Sequence, residues 1–315
     1  MSKIAFIYPG QGAQKAGMGA DFYENSEIAR YIFDQAGEEL DLDMKELCFE
    51  ENDRLDLTEY TQAAMVTTCL AMTRVAESKG LKADITAGLS LGEYPAIAAA
   101  GGMNDMDAIR LVRKRGILMQ NTVPAGEGAM CAVISMAAEE IEKVIEPIAD
   151  VSVANYNCSG QIVITGKTDA VEEAAAKLKE AGARRTIMLN VSGPFHSQML
   201  VPAGEKLAEE LEHTRFHELR IPYVTNVTAE KVTDIRETPG LLTTQISSPV
   251  RWMQSMERMI ADGVDTFVEI GPGKTLEGFL RKIDRSVKVF HISQWEDVDK
   301  VCTELADSGK MMEEA

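Results

Sequence analysis

A serine set between two glycines, Gly88-Leu89-Ser90-Leu91-Gly92, is the residue of this chain best placed to act as a nucleophile. The stretch TAGLSLGEYPAI follows a short strand expected at 84–87 and precedes a helical pattern. G-x-S-x-G at a strand-to-helix turn exposes the hydroxyl. The helix N-terminus then offers N–H groups and partial positive charge to a developing oxyanion. The same residues also read Ser90-x-x-Glu93, the form of a capping box. A cap leaves both glycines without a purpose. A strained turn needs them, because side chains there would meet the neighbouring strand and helix.

A serine nucleophile needs a base, and the chain has four histidines. His213 and His217 are four apart in LEHTRFHEL and would share a face if the helix expected at about 197–213 ran on. No HExxH glutamate accompanies them, so a solvated face is the simpler reading. His291 lies inside a strand pattern, VFHIS. His196, in SGPFHS, falls between an expected strand and an expected helix, a position from which a side chain can reach a cleft. Arg115 stands in a run with Arg110, Arg113 and Lys114. Arg110 and Arg113 share a helix side, whereas Arg115 can turn inward. A buried arginine requires a partner. A substrate carboxylate and a structural Asp or Glu both fit its planar fork. Gln11 sits in GQGAQ, which resembles a phosphate loop, but Lys15 stands where G-x-G-x-x-G needs its last glycine.

Around these residues, the order of apolar periods indicates an α/β protein with a mainly parallel sheet. The run IAFIY, stopped by Pro9-Gly10, reads as the first strand. Helices are expected at about 26–39, 60–79, 91–100 and 105–120. From 129 to 190 the pattern is β-α-β-β-α-β, the ferredoxin-like order, which suggests an inserted small subdomain over 125–193. The large subdomain would then comprise 1–124 and 194–315. It has further helices at about 197–213, 238–246, 250–262 and 275–283, and strands at 222–226, 265–270 and 287–292. The polar tail SGKMMEEA is expected to fray.

The formal net charge of −18 argues against a nucleic-acid partner. No run of about 18 apolar residues suits a membrane helix. Five scattered cysteines without metal spacing read as reduced thiols of a cytoplasmic protein.

The chain also resembles the malonyl-CoA:acyl-carrier-protein transacylases nearly end to end. The resemblance is carried by YPGQGAQ at 8–14, TQAA at 61–64, GLSLGEY at 88–94, RLVRKRGILMQ at 110–120 and PAGEGAM at 124–130. It continues through NYNCSGQIVITG at 155–166, SGPFHS at 192–197, ISSPVRW at 246–252 and EIGPGKTL at 269–276. It implies an α/β-hydrolase-like large subdomain carrying the ferredoxin-like one. It implies Ser90 as nucleophile and His196 as general base and acid, oriented by a backbone carbonyl at Gln245 rather than by an Asp. Backbone N–H groups of Gln11 and Leu91 would form the oxyanion hole, and Arg115 would bind the malonyl carboxylate. The substrates would be malonyl-CoA and acyl carrier protein, with no cofactor, no metal and a monomeric enzyme.

Two positions depart from the family pattern: Leu89, where a histidine usually precedes the nucleophile, and Ala63, where proline is frequent. Leu89 cannot serve as a base, which leaves His196. Phe195 resembles the residue of malonyl-selective relatives. A stand-alone acyltransferase of a polyketide synthase, a serine esterase and an inactive carrier-binding scaffold are the alternatives. An acidic carrier would need a basic patch at the cleft mouth, for which Arg113, Lys114, Lys167, Arg184 and Arg185 are candidates.

Overall fold

The computed structural model describes residues 3–191 and 193–307; the tail expected to fray lies outside them. Among the described residues, ten strands form two sheets. The six-stranded sheet contains β1 (Lys3–Tyr8), β2 (Ile85–Gly88), β7 (Tyr223–Val224), β8 (Lys231–Val232), β9 (Val264–Ile270) and β10 (Lys288–Ile292). Its order is β10-β9-β1-β2-β7-β8. All pairs are parallel except β7 with β8. Helices cover both faces, so β1 reads as a continuous apolar run, IAFIY, with all five residues buried.

The chain leaves β1 towards β2 on one side and returns as β9 on the other. Such a reversal of direction opens a crevice beyond the carboxyl ends of the strands. Two loops emerge there. Pro9-Gly10-Gln11 follows β1, and Leu89-Ser90 follows β2.

The second sheet consists of β3 (Gly128–Ile134), β4 (Val151–Cys158), β5 (Gln161–Lys167) and β6 (Arg185–Met188). It is antiparallel, in the order β4-β5-β3-β6. Helices Ala138–Ile145 and Thr168–Glu180 complete the expected β-α-β-β-α-β succession. Alternation along these strands divides them between two cores. Cys131, Val133, Ile162 and Ile164 pack with the two helices. Met130, Ala132, Ala154 and Val163 join the core of the larger sheet. The small sheet is thereby pressed against the crevice.

Several expectations need correction. The helix expected at 197–213 is a short 3-10 turn, Gln198–Leu200, followed by an α-helix, Val201–Glu212. It stops before His213, so His213 and His217 share no helix face. His217 instead follows an isolated bridge between Met103 and Phe216, and its N–H donates to the Gly102 carbonyl. The strand expected at 222–226 shrinks to two residues, because Thr225 and Asn226 turn toward the crevice loops. Helices Ala20–Asn25, Met44–Phe49 and Trp295–Asp307, and strand β8, escaped the periodicity reading. Three of these four are too short to show a period; the last helix docks Trp295 edge-on against Phe22.

Candidate active site

The GLSLG turn is shaped by collision avoidance. A Cβ on Gly88 would sit 1.8 Å from the Gly92 carbonyl oxygen, and one on Gly92 would sit 2.2 Å from that of Tyr8. Gly88 lets the turn close on itself, and Gly92 lets it lie against the end of β1. Ser90 itself has φ 53°, a left-handed conformation disfavoured for a non-glycine residue. Asn226 holds it there: its Oδ1 accepts from the Ser90 N–H at 2.7 Å, and its Nδ2 donates to the Gly88 carbonyl at 2.7 Å. Residues Ser90–Gly92 form a 3-10 turn that leads into helix Glu93–Ala99.

The capping-box reading of Ser90 and Glu93 is overturned. No side chain caps either segment. Glu93 is fully buried; its Oε2 accepts from the Asn226 N–H at 3.1 Å and from Gln245 Nε2 at 2.6 Å.

Ser90 Oγ lies 2.7 Å from His196 Nε2. The opposite ring nitrogen, Nδ1, faces two acceptors, the carbonyls of Gln245 at 2.9 Å and Ser248 at 3.1 Å. Two carbonyls can only accept, so Nδ1 carries the proton and the Nε2 lone pair receives the Ser90 O–H. Burial, together with the Arg115 charge, depresses the imidazole pKa to about 4. The ring is therefore neutral and able to take a proton at pH 7. His196 also has positive φ, 60°. The strain falls on both members of the pair.

Arg115 projects inward from helix Asp105–Thr122 and is 1% exposed, whereas Arg110 on the same helix is exposed. Gly116 allows this helix to approach the backbone of Thr58 and Glu59. The Arg115 guanidinium donates to Gln62 Oε1 at 2.9 Å, Gln245 Oε1 at 3.1 Å and Ser90 Oγ at 3.3 Å, and it lies 5.4 Å from the Tyr94 ring centroid. These oxygens are neutral. No ion pair to Arg115 forms among the described residues, so a structural Asp or Glu partner is not what buries it. Its Nε has no hydrogen-bond partner there either. A cation so placed is poised to meet an anion beside the serine.

Ser90, His196, Arg115 and Gln62 line one cavity of about 460 Å³, with Gln11 and Leu91 also at its wall and Met130, Asn155 and Leu189 facing them from the small subdomain's side. The side-chain amide of Gln11 is tied to Thr58 Oγ1 at 3.0 Å. Ser90, His196, Gln245, Gln11, Leu91 and Arg115, which the sequence reading singled out, thus converge on one place. Residue-by-residue reasoning missed Asn226, Glu93, Ser248 and Gln62. Gln62, within TQAA, Glu93, within GLSLGEY, and Ser248, within ISSPVRW, lay in motifs that could have flagged them; Asn226 lay in none. His291, in β10, stands apart, 3.7 Å from a Glu277 carboxylate oxygen.

The suggested basic patch is reduced. Arg113 pairs with Glu59 at 2.9 Å, Lys114 with Glu210 at 3.6 Å and Lys167 with Asp150 at 2.8 Å. Arg184 and Arg185 are exposed and form no ion pair among the described residues. They sit at the edge strand β6, beside exposed Ile187 and Met188. Reversing both charges should slow transfer to an acidic carrier protein and leave loading from a CoA thioester unchanged. Separate assays of the two half-reactions check this, and an equal loss in both would remove the patch.

Comparison with known proteins agrees with the geometry. Residues 5–298 match the acyl transferase domain family. A Bacillus subtilis protein named malonyl CoA-acyl carrier protein transacylase is 44% identical over 304 residues, covering 95% of this chain and 96% of that protein. A crystal structure of the Clostridium perfringens malonyl CoA-acyl carrier protein transacylase superposes with a TM-score of 0.94 at 42% identity, covering 98% of each chain. An acyl carrier protein S-malonyltransferase from Vibrio cholerae gives 0.93 at 39% identity, over 95% of this chain and all of that one. With a serine held on a strained turn against a neutral histidine, and matches running almost the full length, the chain belongs to the acyl transferase family, among its malonyl-CoA:acyl-carrier-protein transacylases.

Proposed function

We propose that the protein moves a malonyl group from malonyl-CoA to the phosphopantetheine thiol of an acyl carrier protein in fatty-acid biosynthesis, through an ester on Ser90. The observation that carries this reading is a buried guanidinium 3.3 Å from a serine hydroxyl that is itself 2.7 Å from a neutral imidazole. In the first half-reaction Ser90 Oγ attacks the thioester carbonyl while its proton passes to His196 Nε2. The backbone N–H groups of Gln11 and Leu91 receive the oxyanion. Collapse breaks the C–S bond, and His196 returns the proton to the departing CoA thiolate. In the second half, His196 deprotonates the carrier thiol, which attacks the ester and regenerates Ser90. The balance is closed without nucleotide, metal or cofactor.

Arg115 selects the acyl group. A malonyl carboxylate satisfies its charge and planar fork; an acetyl group leaves the cation buried and unpaired, typically a penalty of about 1–3 kcal/mol or more. The reading treats 1–124 with 194–315 as an α/β-hydrolase-like catalytic subdomain. Residues 125–193 then form a ferredoxin-like subdomain that closes over the ester and keeps water from it. The apolar cluster that Cys131, Val133, Ile162 and Ile164 form with the two small-subdomain helices, drawn wholly from 125–193, supports this division. It also takes the enzyme to be a cytoplasmic monomer. A malonyl-transacylase 35% identical to this chain, with a TM-score of 0.93, was solved in complex with an acyl-carrier protein of a type II polyketide system, which supports a carrier protein as acceptor.

Intact-protein mass after mixing with malonyl-CoA tests the proposal. A single malonyl adduct is expected, absent in Ser90→Ala and weak with acetyl-CoA. An adduct that persists in Ser90→Ala would remove the assigned nucleophile, and equal loading by acetyl-CoA would remove the role of Arg115.

A further inference from the structure

The site contains a second buried charge for which the transfer chemistry has no use. Glu93 is 0% exposed, and the Gln245 side chain lies between it and Arg115. The Gln245 amide oxygen accepts from Arg115 Nη2 at 3.1 Å, and its Nε2 donates to Glu93 Oε2 at 2.6 Å and to the Ser90 carbonyl at 3.0 Å. The amide thus joins cation to carboxylate through two oriented hydrogen bonds. Gln245 also supplies the carbonyl that holds His196 Nδ1. Nucleophile backbone, base, substrate cation and buried acid all meet at this one residue.

The ionisable neighbours of Glu93 are few. Arg115 comes from helix Asp105–Thr122, Tyr94 is next in the chain, and Tyr223 comes from β7. His196 is reached through the Gln245 carbonyl. Arg115 is the single cation among them. The Glu93 Oε1 atom and the adjacent Thr225 hydroxyl are both enclosed without a well-formed hydrogen bond among the described residues. The Thr225 hydroxyl can donate to the ionised carboxylate, which lowers the Glu93 pKa, and can accept from the protonated one, so the pair accommodates both states.

We propose that Glu93 is the counter-charge of Arg115 in the empty site, relayed by the Gln245 amide, and that it takes up a proton from solvent when the malonyl carboxylate occupies Arg115. The inference rests on the assignment of Arg115 to the malonyl group. Its logic is charge conservation in a medium of low dielectric. One buried cation balances one buried anion, and a second anion displaces the first by neutralising it. Burial already lifts the Glu93 pKa to about 7, against hydrogen bonds from Gln245, Asn226 and Thr225 and a smaller opposing pull from the Arg115 charge. Once the substrate anion screens Arg115, that opposition weakens and the pKa climbs further. Malonyl binding becomes linked to proton uptake, so affinity falls as pH rises above about 7. Glu93 is in this scheme a positioning residue. It touches no reacting atom; it balances the Arg115 charge and orients the Gln245 amide.

The experiment uses the full chain carrying Ser90→Ala, which binds malonyl-CoA without forming the ester. Isothermal titration at pH 7 to 8, repeated in buffers of different ionisation enthalpy, reads protons taken up per malonyl-CoA bound. A net uptake of up to about half a proton is expected at pH 7, and the dissociation constant should rise by up to about tenfold per pH unit above it. Acetyl-CoA, which has no carboxylate, should bind with no uptake. Adding Glu93→Gln should abolish the uptake and flatten the pH dependence. His196, with its pKa near 4, stays neutral throughout this range. Zero uptake with Glu93 present, or the same uptake with Glu93→Gln, would overturn the proposal. The malonyl–acetyl comparison remains decisive if Glu93→Gln fails to fold. Adding Arg115→Ala in place of Glu93→Gln separates the two readings. If malonyl-CoA affinity survives that change, the Arg115 assignment itself fails; if affinity is lost but the Ser90→Ala enzyme shows no uptake, only the Glu93 linkage fails.

Discussion

Replacing His196 by alanine should slow malonylation of Ser90 by on the order of 10⁴- to 10⁶-fold, as removal of one member of a nucleophile–base unit does elsewhere. No other histidine is near enough to substitute. His213 lies at the end of helix Val201–Glu212, His217 beyond it, and His291 beside Glu277. The pH profile of the unaltered enzyme should identify the same residue. The active form is the neutral ring, so the rate rises with pH through the folded-state pKa. Burial and Arg115 lower that value to about 4. The acid limb of kcat/KM for acylation, which reports the free enzyme, should therefore fall near pH 4 rather than near the ordinary histidine value of about 6.5. Stability has a matching sign. Between about pH 6.5 and 4 the unfolded chain binds a proton at His196 that the folded chain refuses, so this group destabilises the fold as pH drops across that window. Rapid-quench measurement of the adduct across pH 4 to 8 is the check; an acid limb centred near 6.5 would show that the base is exposed or is another group.

Gly88→Ala should prevent the elbow from forming. The new Cβ would lie 1.8 Å from the oxygen and 1.9 Å from the carbon of Gly92, and 2.5 Å from the Glu93 nitrogen. All three are backbone atoms, and the segment they belong to is pinned against Tyr8 on the other side. No side chain can rotate away, so relief requires moving β2 or the 3-10 turn. A loss above the usual overpacking range of about 1–3 kcal/mol is expected, together with loss of Ser90 acylation. Urea denaturation followed alongside adduct formation would measure both. A variant with native midpoint and native adduct would show that the turn is far more compliant than its contacts indicate. Gly126, by contrast, has open space where its Cβ would be, and its requirement is the left-handed φ of 87° alone.

Ser90, His196 and Arg115 could be singled out from type and position, and the structure brings them together; Gln11, Leu91 and Gln245 came only from the family resemblance. Ser90 announced itself through two glycines, and those glycines have the steric purpose that the pattern required. The inward turn of Arg115 followed from helical spacing against Arg110 and Arg113. The succession of elements was legible as well, because long apolar strands and helices of a dozen residues or more carry a period. Short pieces such as Met44–Phe49 and β8 carry too few residues to show one.

What lay beyond the sequence is everything set by contact between distant segments. That the buried partner of Arg115 is two glutamines and a serine, and no acid, depends on where residues 62, 90 and 245 come to rest. That Glu93 is a buried acid and not a helix cap depends on Asn226 and Gln245 arriving 133 and 152 residues later in the chain. The tautomer of His196 depends on two carbonyls from the loop after helix Thr238–Gln245 and its last residue. Sequence by itself determined which groups are available and the local turn that presents the nucleophile, since sterics and periodicity act over a few residues. The tertiary structure decided which charges go unpaired, because desolvation and hydrogen-bond satisfaction are properties of the assembled interior.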